Sequence, residues 1–337
     1  MKQVRPKKNL GQHFLTDLTI AKRIADTVDA CPDLPVLEVG PGMGVMTQYL
    51  VEKPRPLKVV EIDKESVAYL KEFFSRYEDG SSYEVRGTRC GDDSSCEVRG
   101  TRYENTSEAE LTADMGVQGN LAARTSQLVP RKDAPRKDVP QTSFVSRIIE
   151  GDFLRMDLRT VFDGGQFVLT GNYPYDISSQ IFFKMIDNRD LIPCCTGMIQ
   201  REVAQRIASQ PGTKAYGILS VMIQAWYDVE YLFTVDENVF NPPPKVKSAV
   251  IRMTRNKVQH LDCDEQLFRR VVKTVFGQRR KMLRVSLRQL VGSGCEVRGM
   301  RYEQLFSSPF MTKRPEQLTI AQFVELTNMV DAVLKSQ

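Results

Sequence analysis

The sequence predicts an α/β fold in which a parallel β-sheet carries helices on both faces and a small helical domain follows. Short apolar strands alternate with helical segments on both sides of a long polar stretch, which is typical of a parallel sheet. A chain of 337 residues has the length of two domains. Near the C-terminus, apolar residues recur at helical spacing from Leu267 to Leu290, with an expected break near Gly277.

The order of the predicted elements places the functional residues. The predicted strands are short apolar segments at residues 36–39, 58–62, 146–150 and 166–170. The predicted helices that follow the first two strands cover residues 43–51 and 66–74. Because ligands of parallel sheets bind at the carboxyl ends of the strands, we expect the chemistry to lie directly after each strand.

Composition excludes several classes of protein. Hydrophobic residues make up 41% and charged residues 26% of the chain, which argues against disorder over its full length. No run of about 18 apolar residues occurs, so we predict no membrane span, and no apolar stretch follows the basic start as it would in a signal peptide. Seven cysteines without a C-x-x-C pair fit a reducing cytoplasm better than a disulfide framework. The two histidines, His13 and His260, offer little to a His-rich metal site or a Ser-His-Asp triad, and we predict no metal.

Positive charge is concentrated in one C-terminal stretch. Between Arg269 and Arg288 there are eight Lys or Arg residues and no acid. Such a cluster indicates either a surface that binds a polyanion such as nucleic acid or a helix face exposed to solvent. Charge density alone favours neither interpretation.

Residues 80–142 differ from the rest of the chain. They are rich in Ser, Gly, Thr, Asp and Arg and show no sustained apolar period, so we predict a long, largely disordered insertion. A heptad with the core Glu-Val-Arg-Gly occurs at residues 83–89, 96–102 and 295–301. These copies are too short and too irregularly spaced to stack as a solenoid. They are either inserted sequence tolerated in surface loops or an Arg-bearing element that contacts RNA.

A glycine-rich turn follows the first predicted strand. Gly40, Gly42 and Gly44 have the spacing G-x-G-x-G, and Val45 stands where a dinucleotide fingerprint has its third glycine. The pattern therefore favours a ligand without a pyrophosphate, and S-adenosylmethionine fits best. Glu61 ends the second strand, where a carboxylate can accept hydrogen bonds from ribose hydroxyls. Asp152 follows the next strand and could accept from the adenine amino group. Each acid alone is more often a solvated strand-end residue, whereas three in register after consecutive strands favour the functional interpretation.

The segment GNYPY at residues 171–175 closes the fourth strand. An exocyclic adenine amine is a poor nucleophile, because its lone pair is delocalised into the ring. The side-chain oxygen of Asn172 and the carbonyl before or at Pro174 could accept both amine hydrogens. Tyr175 could stack on the base with its flat face. The alternative interpretation is an ordinary proline turn.

With these motifs in place, the chain resembles the KsgA family of ribosomal RNA adenine dimethyltransferases. The resemblance covers nearly the whole chain apart from the insertion and the third heptad. It rests on the segments KNLGQHFL (8–15), LEVGPGMG (37–44), VVEID (59–63), EGDFL (150–154), GNYPY with ISS (171–175, 177–179), KAYG (214–217), FNPPPKVKSAV (240–250), FGQRRKMLR (276–284) and RPEQL (314–318).

The resemblance implies a class I S-adenosylmethionine-dependent methyltransferase domain over residues 1–253, interrupted at about 80–142, and a small helical RNA-binding domain over 254–337. The residues that it implies at the cofactor are His13, Leu15, Gly40, Gly42, Glu61, Asp152 and Asn172. The residues that it implies at the target base are Asn172, Pro174 and Tyr175. Lys and Arg residues of the C-terminal stretch would contact RNA phosphates, and we expect this of Arg279, Arg280, Lys281 and Arg284.

The activity implied is dimethylation of two adjacent adenosines in the terminal hairpin loop of small-subunit ribosomal RNA. The expected partner is the immature 30S subunit, and the enzyme is expected to be a cytoplasmic monomer. Two alternatives stay open: a large-subunit adenine methyltransferase that confers antibiotic resistance, and a non-catalytic assembly factor. Two residues depart from the family pattern. Tyr173 stands where many members have Leu and is expected to reshape the target pocket, and His13 stands where some members have Asn.

Overall fold

The computed structural model describes Lys7 and residues 12–78, 144–292 and 299–336 of the chain. The predicted insertion and the first two heptads lie outside these residues, and so does most of the third heptad. Within the described ranges the strands are β1 (Phe14–Leu15), β2 (Val36–Val39), β3 (Leu57–Glu61), β4 (Ile148–Glu150), β5 (Val168–Asn172), β6 (Cys194–Gln200), β7 (Tyr227–Val235), β8 (Phe240–Asn241) and β9 (Ser248–Arg255). The α-helices are α1 (Leu18–Asp26), α2 (Thr47–Leu50), α3 (Lys64–Glu78), α4 (Ser178–Asp187), α5 (Arg201–Ala208), α6 (Ile218–Gln224), α7 (Glu265–Gly277), α8 (Leu283–Ser286), α9 (Arg288–Val291), α10 (Met300–Ser307) and α11 (Ile320–Leu334).

A seven-stranded sheet with the order β4-β3-β2-β5-β6-β9-β7 forms the centre of the molecule. Its first five strands are parallel, whereas β9 runs antiparallel to both of its neighbours. The predicted parallel sheet is therefore confirmed, and an antiparallel pair extends it. The carboxyl ends of β2, β3 and β5 meet at one edge, because parallel strands in register end together.

Two hydrophobic clusters cover the two faces of the sheet. One cluster packs α1 and α3 against the sheet through side chains such as Ile24, Leu70 and Phe74. The other joins the opposite face to the C-terminal helices, since Trp226 and Phe268 contact edge to face at 6.1 Å within it. The C-terminal helices thus share a continuous core with the sheet. The predicted division at residue 253 stays a prediction.

Three local features refine the predicted elements. The predicted helix over 43–51 is wrong at its start: residues 43–46 form turns and α2 begins only at Thr47. The helical stretch from Leu267 breaks as expected, because α7 ends at Gly277. Cys31 and Cys194 form a disulfide with a Cα–Cα distance of 5.9 Å. This pair departs from the expectation that the cysteines are reduced, and because its two members are 163 residues apart in sequence, their spacing gave no signal.

No helix in the described ranges combines the length and the apolar character that a membrane span requires.

Candidate active site

A cavity of about 250 Å³ opens at the carboxyl ends of β2, β3 and β5. All nine residues predicted for the cofactor and the target base line it: His13, Leu15, Gly40, Gly42, Glu61, Asp152, Asn172, Pro174 and Tyr175. The structure thus brings together residues that are up to 162 positions apart in sequence. Their individual roles stay predictions.

The glycine-rich turn after β2 requires glycine at its backbone positions. Gly40, Gly42 and Gly44 have φ values of +67°, +56° and +79°, which side chains rarely adopt. A Cβ on Gly42 would also lie 3.1 Å from the ring of Phe14. The turn therefore exposes bare backbone to the cavity, and only glycine lets Phe14 pack so close to it.

Glu61 is fixed by the backbone around it. Its two carboxylate oxygens accept hydrogen bonds from the N–H of Gly42 at 3.0 Å and of Asp63 at 2.9 Å. The side chain is buried, and this burial raises its pKa even though both hydrogen bonds favour the charged form. Because each carboxylate oxygen has a second lone pair, Glu61 can still accept two hydroxyl donors such as those of a ribose.

Glu38 is a buried carboxyl in the same cavity that the sequence reasoning did not single out. The hydroxyl of Thr47 donates to it at 2.7 Å. Burial, with a contribution from the charge of Glu61, raises the pKa of Glu38 to about 8. Its position two residues before Gly40 was the available signal.

Asp152 and Asn172 have simpler surroundings. One oxygen of Asp152 accepts the N–H of Leu154 at 2.9 Å, and the other lies 3.4 Å from the guanidinium of the exposed Arg155. Asn172 is the last residue of β5, and its Nδ2 donates to the carbonyl of His13 at 3.4 Å. Because the amide nitrogen has this partner, the side-chain oxygen of Asn172 remains as an acceptor.

Tyr173 packs into the core beneath the cavity. Its hydroxyl lies 3.1 Å from the sulfur of Cys195 and 3.2 Å from the carbonyl of Thr196. The ring has room only because residues 171 and 197 are glycines: a Cβ on Gly197 would lie 2.6 Å from the ring, and one on Gly171 would lie 3.2 Å from it. The aromatic residue at this position thus ties the loop after β5 to β6.

The segment before α1 closes one side of the cavity. Strand β1 pairs with β8, and the Nδ1–H of His13 donates to the carbonyl of Pro242 at 2.8 Å. The imidazole stacks with the ring of Tyr175, with centroids 5.6 Å apart and planes at 27°. Lys7 forms ion pairs with Asp63 at 2.6 Å and Glu65 at 3.1 Å. These contacts hold the segment across the cavity, and the sequence alone gave no sign of the Lys7 contacts.

The four basic residues predicted to bind RNA divide into two groups. The guanidinium of Arg279 donates to the carbonyl of Lys214 and lies 3.9 Å from the carboxylate of Glu316. Arg280, Lys281 and Arg284 are exposed, and their side chains make no ion pair with any other described residue. The last three are therefore free to bind a polyanion, whereas Arg279 already joins the turn after α7 to the segment before α6.

Solved structures define the class to which this fold and cavity belong. A dimethyladenosine transferase from Plasmodium falciparum superposes with a TM-score of 0.60 at 19% identity, covering 95% of this chain and 98% of that one. The 23S rRNA methyltransferase ErmE superposes with a TM-score of 0.53 at 22% identity, covering 94% and 99%. The fold is that of a class I S-adenosylmethionine-dependent methyltransferase, as predicted.

Sequence comparison then gives the family. The family model for ribosomal RNA adenine dimethylases matches residues 3–82 and 135–328. The Ribosomal RNA small subunit methyltransferase A of Bacteroides fragilis is 52% identical over 335 residues, covering 99% of this chain and 96% of that relative. The chain belongs to the ribosomal RNA adenine dimethylase family. It is a methyltransferase that uses S-adenosylmethionine, and both predictions from the motifs are confirmed.

Proposed function

We propose that this enzyme dimethylates the N6 atoms of two adjacent adenosines in the 3′-terminal hairpin loop of 16S ribosomal RNA. The proposed substrate is the immature 30S subunit, and the enzyme acts as a cytoplasmic monomer. One observation carries the proposal: a single cavity contains both the acids suited to the cofactor and the residues 172–175 suited to an adenine amine. The name of the Bacteroides fragilis relative, which specifies the small subunit, supports the choice of substrate.

The cavity has the donors and acceptors that the cofactor needs. Glu61 would accept hydrogen bonds from the ribose hydroxyls, Asp152 would accept one from the adenine amine, and the bare backbone at Gly40 and Gly42 would hold the methionine part. The backbone of His13 and the side chain of Leu15 close the cavity from the N-terminal side. When bound, the cofactor supplies an electrophilic methyl group on a sulfonium.

The residues at the end of β5 and directly after it make the target amine reactive. The side-chain oxygen of Asn172 accepts one amine hydrogen. The carbonyl of Pro174 accepts the N–H of Ile177 at 3.3 Å, which leaves it one lone pair. We assign the second hydrogen to the carbonyl of Tyr173, immediately before Pro174. Two acceptors below the ring plane favour a pyramidal nitrogen whose lone pair can attack. Tyr175 stacks on the extruded base.

The exposed basic residues 280, 281 and 284 bind RNA phosphates. Such contacts are independent of sequence and sensitive to salt, so specificity comes from RNA shape and from unstacked adenines. Replacing any one of Arg280, Lys281 or Arg284 by Ala should lower the salt slope of RNA binding by about one unit. Arg279→Ala should affect stability more than the slope, because its guanidinium is held by Lys214 and Glu316.

Methyl transfer to purified ribosomal subunits tests the proposed function. The enzyme is incubated with labelled cofactor and either immature small subunits or large subunits, and the modified nucleotides are mapped. We expect two neighbouring dimethyladenosines near the 3′ end of the small-subunit RNA and no modification of the large subunit. Modification of a large-subunit adenosine would support the antibiotic-resistance activity instead. Absence of transfer to either subunit would contradict the proposed substrate.

A further inference from the structure

The side chain of Tyr175 is held at its far end by a residue that does not itself line the cavity. The Tyr175 hydroxyl lies 2.5 Å from the hydroxyl of Ser248. These two residues are 73 positions apart in sequence. The same ring stacks with His13 at 5.6 Å between centroids. The orientation of the aromatic plane is thus set from outside the loop that carries Tyr175.

Ser248 is a rigid point of attachment. It is fully buried and is the first residue of β9. In the sheet it pairs with Gln200 of β6 on one side and with Val235 of β7 on the other. Because β9 has a partner strand on each side, Ser248 cannot follow a movement of the loop after β5. A hydrogen bond to it therefore fixes Tyr175 relative to the sheet.

We propose that Ser248 is a positioning residue for methyl transfer, which acts by holding the hydroxyl of Tyr175 and so the plane on which the target adenine stacks. The inference rests on the proposed function, because it takes Tyr175 as the stacking surface. A tyrosine ring held only at its Cα–Cβ bond can change rotamer. Anchoring the opposite end of the ring removes these alternatives before the base arrives, and such preorganisation favours productive binding.

The expected effect is moderate and falls on the RNA substrate. Loss of one neutral hydrogen bond corresponds to about three- to tenfold in kcat/KM. The loss should appear in the KM for small subunits and in kcat. The dissociation constant for the cofactor should not change, because Ser248 does not line the cavity.

A double-mutant cycle separates positioning from a general structural role. The variants are Ser248→Ala, Tyr175→Phe and the two combined, and Ser286→Ala serves as control because Ser286 is an equally buried serine of α8. For each variant, kcat and KM are measured on immature small subunits, and cofactor affinity is measured by calorimetry. We expect the two single variants and the double variant to lose the same three- to tenfold in kcat/KM. The control should match the wild type.

Two results would overturn the inference: losses that multiply in the double variant, or a Tyr175→Phe variant with full activity. The second result overturns the inference even if Ser248→Ala folds poorly, because Tyr175→Phe leaves Ser248 in place. Tyr175→Ala separates this inference from the proposed function. If Tyr175→Ala keeps wild-type kcat/KM, Tyr175 is not the stacking surface, and the stacking role assigned to it in the proposed function is wrong. If Tyr175→Ala is impaired while Ser248→Ala and Tyr175→Phe are not, only the role of Ser248 is wrong.

Discussion

The two halves of the cavity are built in different ways. On the cofactor side, Glu61 is held by N–H groups of the adjoining turn and of its own loop, so its position follows from residues 40–63 alone. On the target side, Tyr175 depends on His13 and Ser248, which come from distant parts of the chain. The first half is a local motif and the second is assembled by the tertiary fold. Substitutions should therefore have separable effects on cofactor binding and on transfer.

The largest effect is expected at Asn172, where the two halves meet. Asn172→Ala removes an acceptor for the target amine, and by analogy with loss of an oxyanion-hole donor the rate should fall about 100- to 1000-fold. Single-turnover methylation of small subunits measures this rate directly. Near-normal turnover would show that the side chain does not contact the amine.

A second substitution tests the packing of Tyr173 in the core beneath the target side of the cavity. Gly197→Ala places a Cβ 2.4 Å from the carbonyl of Gly171 and 2.6 Å from the ring of Tyr173, at a φ of +155°. Overpacking of this kind should lower the free energy of unfolding by about 3 kcal/mol. Chemical denaturation provides the measurement. Gly164→Ala is the matched control, since Gly164 also has a positive φ but no atom within 4 Å of the added Cβ.

On the cofactor side, the titration of Glu38 should make the free energy of unfolding depend on pH. The pKa of Glu38 is raised to about 8 from 4.5, so the folded state binds more protons than the unfolded state between these two values. The free energy of unfolding should therefore fall as pH rises through this window, by at most about 1.4 kcal/mol per unit. Above pH 8 the contribution of this group should level off.

Glu38→Gln keeps an oxygen to accept from Thr47 and removes the titration. Urea denaturation between pH 5 and 9 should give this variant a flatter profile than the wild type. Glu150→Gln, the same substitution at an exposed glutamate, is the matched control. If the Glu38→Gln and wild-type profiles are parallel, Glu38 does not hold a proton in the folded enzyme.

The smallest effect is expected at the segment that closes the cavity. Lys7→Gln removes the ion pairs with Asp63 and Glu65 and should weaken cofactor binding about two- to fivefold. The dissociation rate of the cofactor, followed by stopped flow, should rise by the same factor. Lys22→Gln breaks an ion pair with Asp26 on α1 and should leave the rate unchanged.

The same contrast explains what the sequence could predict. The strand ends, the glycine turn, Glu61 and Asp152 were all readable because strand period and turn chemistry are local. Long-range contacts gave no such signal: Ser248 lies within the family segment 240–250, but its hydrogen bond to Tyr175 exists only in the folded chain. Arg279 was predicted to bind RNA from its place in a basic stretch, whereas in the fold its guanidinium contacts Lys214 and Glu316. The antiparallel pairing of β9 also escaped prediction, since a buried strand does not reveal its direction.

The separation of the two halves is tested most directly by calorimetric titration of S-adenosylmethionine into Glu61→Gln and Asn172→Ala. Loss of hydrogen bonds to a charged group should weaken the affinity of Glu61→Gln by about 10- to 150-fold. The affinity of Asn172→Ala should stay within about twofold of the wild type, because its side-chain oxygen is assigned to the target amine. Equal weakening in both variants, or weakening in Asn172→Ala alone, would contradict the division of the cavity into a cofactor side and a target side.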